Sequence, residues 1–325
     1  MELRQLNALV GVADHGGFSA AADALNTVQS NISAHVAHLE RELGAVLIDR
    51  SAGRLTEAGE EVVARARRVS VEIEAMVADV VALGSQVTGA VRIGMIGTTA
   101  RWLVPQLLHR MSLRHPLVHL VVVDGNSSTL EPQLSAGRLD MAVVNLPVPG
   151  NEFSTRELFD EDLVLAIDAS HPLARKARVD IADLVDIDLL LPLAGTAFRD
   201  ELDRTTQAMG ITLRSKADLD GVRLIASLTF EGHGPAILPA TAIPEFMRDR
   251  WPLIPVAGLP RRRVGIAQRS RGLASAPARA VLEILDEIAW DSAGTPSGLH
   301  APAGRVPAAS PVGRTGPTPT KPTPI

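Results

Sequence analysis

No cysteine occurs among the 325 residues. Disulfides, thiol nucleophiles and cysteine-held metals are thereby excluded, and the composition fits a reducing cytoplasm. Nor is there an apolar stretch of about 18 residues, so no transmembrane helix is expected. The N-terminus lacks the basic segment and apolar block of a signal peptide. The expectation is a soluble cytoplasmic protein with no membrane partner. Catalytic signatures are missing too. There is no Gly-x-Ser-x-Gly elbow, and Gly94-x-x-Gly97-Thr98-Thr99 lacks the lysine and spacing of a phosphate loop. Neither an enzyme nor a cofactor is expected. Positive charge is also short: the net charge is −5. Within residues 1–60 four basic side chains (Arg4, Arg41, Arg50, Arg54) face eight acidic ones, a local net charge of −4. Generic DNA binding rests on a basic footprint. A DNA reader here would depend on groove contacts and on helix N-termini aimed at phosphates.

What is present begins with Gly17 to Gly59. Ala20–Leu25 reads as a short helix whose alanines allow close approach of a second. Asn26 and Thr27 break it, and the next helix carries Ile32, Val36, Leu39 and Leu43 on one inward stripe. Its other face offers Gln29, Ser30, Asn31, Ser33 and His35, small or amide side chains suited to base edges in a major groove. Leu47–Arg50 and Arg54–Thr56 read as a β-ribbon around Ala52-Gly53, with an arginine on each arm for phosphates. Leu3, Leu6, Leu9 and Val10 form the stripe of a first helix ending at Gly16-Gly17. The unit is a winged helix-turn-helix. His35, His38 and Glu42 share a helical side, but at this position the histidines are better spent near DNA than on a metal.

In order and spacing, Gln29, Ser33, Leu39-Glu40, Leu43-Gly44, Leu47, Arg50 and Leu55-Thr56-x-Ala58-Gly59 resemble the N-terminal signature of the LysR-type transcriptional regulators. Met1–Leu6 and Gly17-Phe18-Ser19-x-Ala21-Ala22-x-x-Leu25 match it as well, and a weaker likeness continues to about residue 290. Val28 stands where the family usually has Ser or Thr, Ser30 where proline is common, and the wing is shorter. The resemblance implies a DNA-binding regulator whose C-terminal part senses a small molecule.

Thr56 is placed to cap a long helix from about Glu57 to Gln86. Val62, Ala66, Val69, Ile73, Met76, Val80, Leu83 and Val87 step by alternating 4 and 3 along it. A period of 3.5 held this long predicts a dimer seam, which suits two recognition helices about 34–36 Å apart on DNA. Beyond a hinge at Gly84–Gly89, strands alternate with helices, predicting parallel sheets in two α/β lobes. Crossing strands are expected near Asn145–Asn151 and Leu259–Arg269. The resemblance gives this part the type II periplasmic-binding-protein-like effector fold. The expected organisation is multidomain: an all-α winged helix-turn-helix at 1–58, a linker helix at 59–88 and a two-lobed α/β effector domain at 89–291. Lobe 1 takes 89–145 and 269–291, and lobe 2 takes 151–262. From 292 to 325 the composition collapses to Pro, Gly, Ala, Ser and Thr, read as a disordered tail.

Ligands in open α/β sheets sit beyond the carboxyl ends of strands. Gly97-Thr98-Thr99, Asn126-Ser127-Ser128 and Gly195-Thr196 each follow a strand and open a helix. Their hydroxyls suit an anion, though each is also an ordinary N-cap. The resemblance places Thr98, Thr99, Thr196 and the segment Phe230–His233 at the effector cleft; His233, flanked by glycines, and the nearby Arg199 and Arg223 are further candidates. The partners expected are double-stranded promoter or operator DNA, a small effector for which an anion suits these helix starts, and further copies of the chain as a homodimer or homotetramer. The competing reading is a cytoplasmic solute-binding or ligand-handling α/β protein whose N-terminal region only dimerises.

Overall fold

The computed structural model describes residues 1–84, 86–290 and 296–302. The N-terminal unit packs α1 (Leu3–His15), α2 (Phe18–Ala24) and α3 (Gln29–Leu43) around Leu6, Leu9, Val12, Ala21, Ala22, Ile32, Val36 and Leu39, all buried. Gly16 and Gly44 end α1 and α3 in the left-handed conformation that glycine adopts at little cost. A two-stranded wing follows, β1 (Ile48–Asp49) against β2 (Arg54–Leu55). Helix α4 (Glu57–Ala82) starts at Thr56, whose hydroxyl accepts from Gly59 N at 3.0 Å. It is four residues shorter than expected, ending before Gly84. Its first half packs on the helix-turn-helix through Val63 and Ala66. Its second half leaves Met76, Val77, Val80 and Leu83 at least 57% exposed.

Lobe 1 begins with β3 (Gly89–Ile96), α5 (Gly97–Arg114), β4 (Val118–Gly125), α6 (Ser127–Ser135) and β5 (Met141–Asn145). Strand β3 lies between β4 and β5 and is parallel to both, as the alternating pattern predicts. The chain then makes β6 (Phe153–Glu161) and enters lobe 2 with β7 (Leu163–Ala166), short β8 (Val179–Asp180), β9 (Asp188–Pro192), α7 (Ala197–Ala208), β10 (Arg214–Leu219), α8 (Val222–Phe230), β11 (Ala236–Pro239) and β12 (Ile254–Ala257). It returns through β13 (Arg262–Arg269) to α9 (Ala276–Trp290), and β14 (Leu299–His300) is the last strand among the described residues. The sheet orders are β14-β6-β13-β5-β3-β4 for lobe 1 and β10-β9-β11-β7-β12-β8 for lobe 2.

Three expectations need correction. Strand β6 pairs with β13 over its whole length, so residues 153–161 belong to lobe 1, and the first crossing falls at Asp162 rather than near 145–151. Polar Ser154, Thr155, Arg156 and Glu157 hide this strand from an apolar-pattern reading, because one of its faces meets solvent. Neither sheet is purely parallel: β13 runs antiparallel to both β5 and β6 in lobe 1, and β7 runs antiparallel to β11 and β12 in lobe 2. Finally, residues 296–302 are not structureless. Leu299 and His300 pair with Glu161 and Asp160 of β6, Asp162 N donates to Gly298 O at 2.8 Å, and His300 Nε2 lies 2.8 Å from Asp162 Oδ2. The backbone edge of β6 supplies partners that the local composition does not reveal.

Candidate nucleic-acid interface and interlobe cleft

Helix α3 presents the polar face expected of it. Gln29, Ser30 and Asn31 are exposed, Ser33 and His35 are half-buried, and Ile32, Val36 and Leu39 point into the core. No side chain caps the helix: the N-cap residue is Val28, and Thr27 instead accepts from Asn31 Nδ2 at 3.1 Å. The Gln29 and Ser30 N–H groups at its start therefore point outward with the positive end of the helix dipole, whereas Asn31 N donates to Val28 O at 3.0 Å. Gln29, Ser33, Phe18, Arg50 and Gly53 line one concavity between α3, the start of α2 and the wing, of about 270 Å³. Arg50 lies over the Phe18 ring, 5.8 Å from its centroid, and 3.8 Å from Glu40. Arg54 is exposed on the other arm of the wing.

The acidic surplus around this face is largely engaged elsewhere. Glu40 Oε1 accepts from Leu47 N and Ile48 N, at 2.9 and 3.3 Å, fixing the strand that follows α3. The Asp49 carboxylate accepts from the Ser51 hydroxyl, Ala52 N and Ser51 N across the wing turn, and these bonds hold it below the usual carboxylate range. Asp14 pairs with Arg67 of α4, Glu42 with the N-terminal amine, and Glu2 with Arg4. Glu57 and Glu60 sit in the first turn of α4, where the helix dipole favours them. None of these carboxylates belongs to the Gln29–Asn31 face. His38 is taken by Gln5, 2.8 Å away, and approaches Glu42 only to 3.8 Å.

The cleft lies between the carboxyl ends of β3 and β4 in lobe 1 and of β9 and β10 in lobe 2. Arg223, in the first turn of α8, crosses it to pair with Asp124 at the end of β4. The crossing is tight: a Cβ on Gly97 would lie 2.8 Å from Arg223 Cδ. Ser127 and Ser128 open α6 beside Asp124. Ser127 Oγ accepts from Asn145 N at 3.1 Å, whereas Ser128 is exposed and donates to Asn126 Oδ1. On the facing edge Thr196 caps α7, accepting from Arg199 N at 3.4 Å.

Thr98 and Thr99 are 4% and 0% exposed, and their hydroxyls meet Arg262 Nη2 at 3.2 Å. Arg262 is held by Glu161, fully buried, whose other oxygen accepts from Thr241 N at 2.6 Å. Sequence reasoning missed this pair. Its signal was weak, an arginine and a glutamate 101 residues apart on the two crossing strands.

Arg199 is not available to a ligand: it is bonded to Asp203, Asp218 and Pro192 O, and its bond with Asp218 holds that carboxyl below its ordinary range. Phe230 and His233 also lie away from the cleft. Helix α8 meets lobe 1 through its N-terminal turn, and Phe230 is seven residues on, about 10 Å along the axis. There its ring packs edge-on against Trp251, 5.4 Å between centroids. His233 is exposed just before β11, at the end of that strand remote from the hinge.

A reading head on three helices, a long helix and a two-lobed binding domain together define a ligand-responsive DNA-binding regulator. Residues 3–60 match the bacterial regulatory helix-turn-helix protein, lysR family, and residues 84–289 match the LysR substrate binding domain. The chain belongs to the LysR family of transcriptional regulators. It is 34% identical to a probable hydrogen peroxide-inducible genes activator of Mycobacterium leprae over 87% of this chain and 93% of the relative. It is 31% identical to the DNA-binding transcriptional dual regulator OxyR of Escherichia coli over 83% and 90%. Among solved structures it resembles a cysteine-substituted full-length OxyR from Pseudomonas aeruginosa, with a TM-score of 0.69, 28% identity and coverage of 88% and 97%.

Proposed function

We propose that this regulator reads duplex promoter or operator DNA with Gln29, Ser30, Asn31, Ser33 and His35 at base edges and Arg50 and Arg54 at phosphates. It acts in the cytoplasm, with the DNA, as a homodimer or homotetramer joined along α4. The observation that carries the reading is the exposed, uncapped start of α3, whose amides and hydroxyls share one concavity with Arg50, a concavity with no carboxylate in its lining. Such a surface can enter a major groove without a broad basic footprint, so specificity comes from base edges and phosphate attraction is modest.

The effector is a small molecule held between the lobes, contacted by Ser127, Ser128, Thr196 and Arg223, with Thr98 and Thr99 acting through Arg262. The relatives are named for hydrogen peroxide. This chain has no cysteine in its 325 residues, so any signal it senses acts by binding and not by oxidising a thiol. Closure of the lobes on the effector then resets the angle between DNA-binding pairs.

A mobility shift on the DNA upstream of its own gene tests the groove assignment. Gln29→Ala is expected to abolish site-specific binding while sedimentation still shows the parent assembly. Retention of site-specific affinity by that variant would refute it.

A further inference from the structure

A second cavity, of about 360 Å³, lies along α5 one turn beyond Thr98 and Thr99, against the segment that leads into β14. Its floor is α5, with Arg101, Trp102 and Gln106; its wall is the lobe 2 segment that follows β11; and Pro296 and Ser297, leading into β14, form its roof. Three of its side chains carry buried polar atoms that find no hydrogen-bond partner among the described residues: Trp102 Nε1, Thr241 Oγ1 and Arg248 Nε. Thr241 is 6% exposed. Leaving such groups unsatisfied forfeits the hydration they had before folding without replacing it. Their gathering in one hollow therefore calls for an occupant.

The unmet atoms define its chemistry. An indole N–H and a guanidinium N–H can only donate, and a threonine hydroxyl can also donate, so the missing group is an acceptor. Arg101, exposed and without an ion-pair partner among the described residues, adds a second cation; Glu245 is the one carboxylate in the lining. Two positive charges against one negative favour a monoanion. Gln106 and Ser297 add polar groups already bonded to Trp102 O and to Arg248, and the apolar part of the lining is Ile243, Pro244 and Pro296, with Phe246 81% exposed at the rim. The volume falls at the small end of ligand pockets, which run about 300–1,000 Å³. We propose that this cavity is a second small-molecule site, for a monocarboxylate with a flat apolar body: the carboxylate bonded by Trp102, Thr241, Arg248 and Arg101, the body against Pro244 and Phe246. The site is also joined to the cleft. Thr241 N bonds Glu161, Glu161 holds Arg262, and Arg262 reaches Thr98 and Thr99.

Phenylacetate is a suitable probe, with phenylacetamide as its uncharged counterpart. Both are titrated into the full-length protein by calorimetry and by tryptophan fluorescence. Phenylacetate is expected to bind saturably, and phenylacetamide about tenfold more weakly, since a charge-assisted bond is lost. Arg101→Ala and Thr241→Val are each expected to weaken phenylacetate about tenfold. Trp102→Phe keeps the ring, removes the donor, and should erase most of the fluorescence response. Arg101 is exposed, so its variant tests the site without threatening the fold; thermal melts report on the other two. Absence of saturable binding at millimolar probe, equal binding of the amide, or parent affinity in both Arg101→Ala and Thr241→Val would overturn the proposal. None of these outcomes bears on the Gln29 experiment.

Discussion

Arg50 is the residue that most directly tests the electrostatics of the proposed DNA interface. The helix-turn-helix carries a net negative charge, yet Asp14, Glu40, Glu42 and Asp49 are bonded to α4, to wing amides or to the N-terminus, and Arg50 and Arg54 stand on the wing beside the face proposed for the groove. A phosphate contact carries no sequence information. Arg50→Ala is therefore expected to weaken binding equally across DNA sequences and to reduce the salt slope by about one unit. Fluorescence anisotropy at several salt concentrations, on specific and scrambled duplexes, measures both; loss of sequence preference alone would contradict the role. Asp168, in lobe 2, gives a test in pH. The Ser170 backbone N–H, the Ser170 hydroxyl and Arg250 lower its pKa from 3.8 to about 2. A carboxylate with a depressed folded pKa adds stability above its unfolded value, and that contribution disappears as pH falls from about 4 towards 2. Thermal melts of Asp168→Asn should accordingly differ from the parent at neutral pH and converge with it near pH 2.

At the scale of elements, α4 shows what a repeating pattern can and cannot convey. The alternating 4 and 3 spacing marks one apolar stripe, and the structure divides it in two. Ala66 is buried on the helix-turn-helix, whereas Met76, Val80 and Leu83 are 60%, 64% and 88% exposed within one chain. An exposed apolar stripe of this length needs a partner, and a second α4 fits it. Met76→Glu with Val80→Glu is expected to leave the protomer folded, since neither side chain is buried, and to shift the assembly to monomers in analytical ultracentrifugation. A double variant that remained dimeric would place the seam elsewhere. The alternation of strands and helices beyond Gly89 was legible, because buried apolar runs bounded by Gly, Pro or Ser leave little choice. Strands β6 and β14 were not. Both owe their existence to hydrogen bonds along an edge, which a local pattern does not record, and the Glu161–Arg262 pair that depends on β6 was lost with them. The candidate site divides in the same way. The α3 face followed from helical periodicity alone. The positions of Phe230 and His233 required knowing which end of α8 meets lobe 1.

For the whole molecule, the question is how occupancy of the cleft reaches the DNA. Helix α4 is tied at both ends: Arg67 to Asp14 in α1, and Asp79 to Ala276 N at 2.7 Å and Arg279 at 3.3 Å at the start of α9. Glu74 lies 3.5 Å from Arg92 of β3. Lobe 1 and the reading head therefore move with α4, and lobe 2 is the body left to swing about Asp162 and the start of β13. The Arg223–Asp124 pair spans that opening, with side chains 63% and 35% exposed. A pair so exposed is worth about 0.2–1 kcal/mol, enough to change the ratio of closed to open lobes by up to about fivefold without locking either. Arg223→Ala is expected to raise the open population and the radius of gyration of the unliganded protein, measured by small-angle scattering, and to remove its dependence on added salt. The parent should open progressively as salt screens the pair. Identical scattering from parent and variant, at low and high salt alike, would mean that the lobes are held by the buried Glu161–Arg262 hinge alone and that Arg223 has no part in closure.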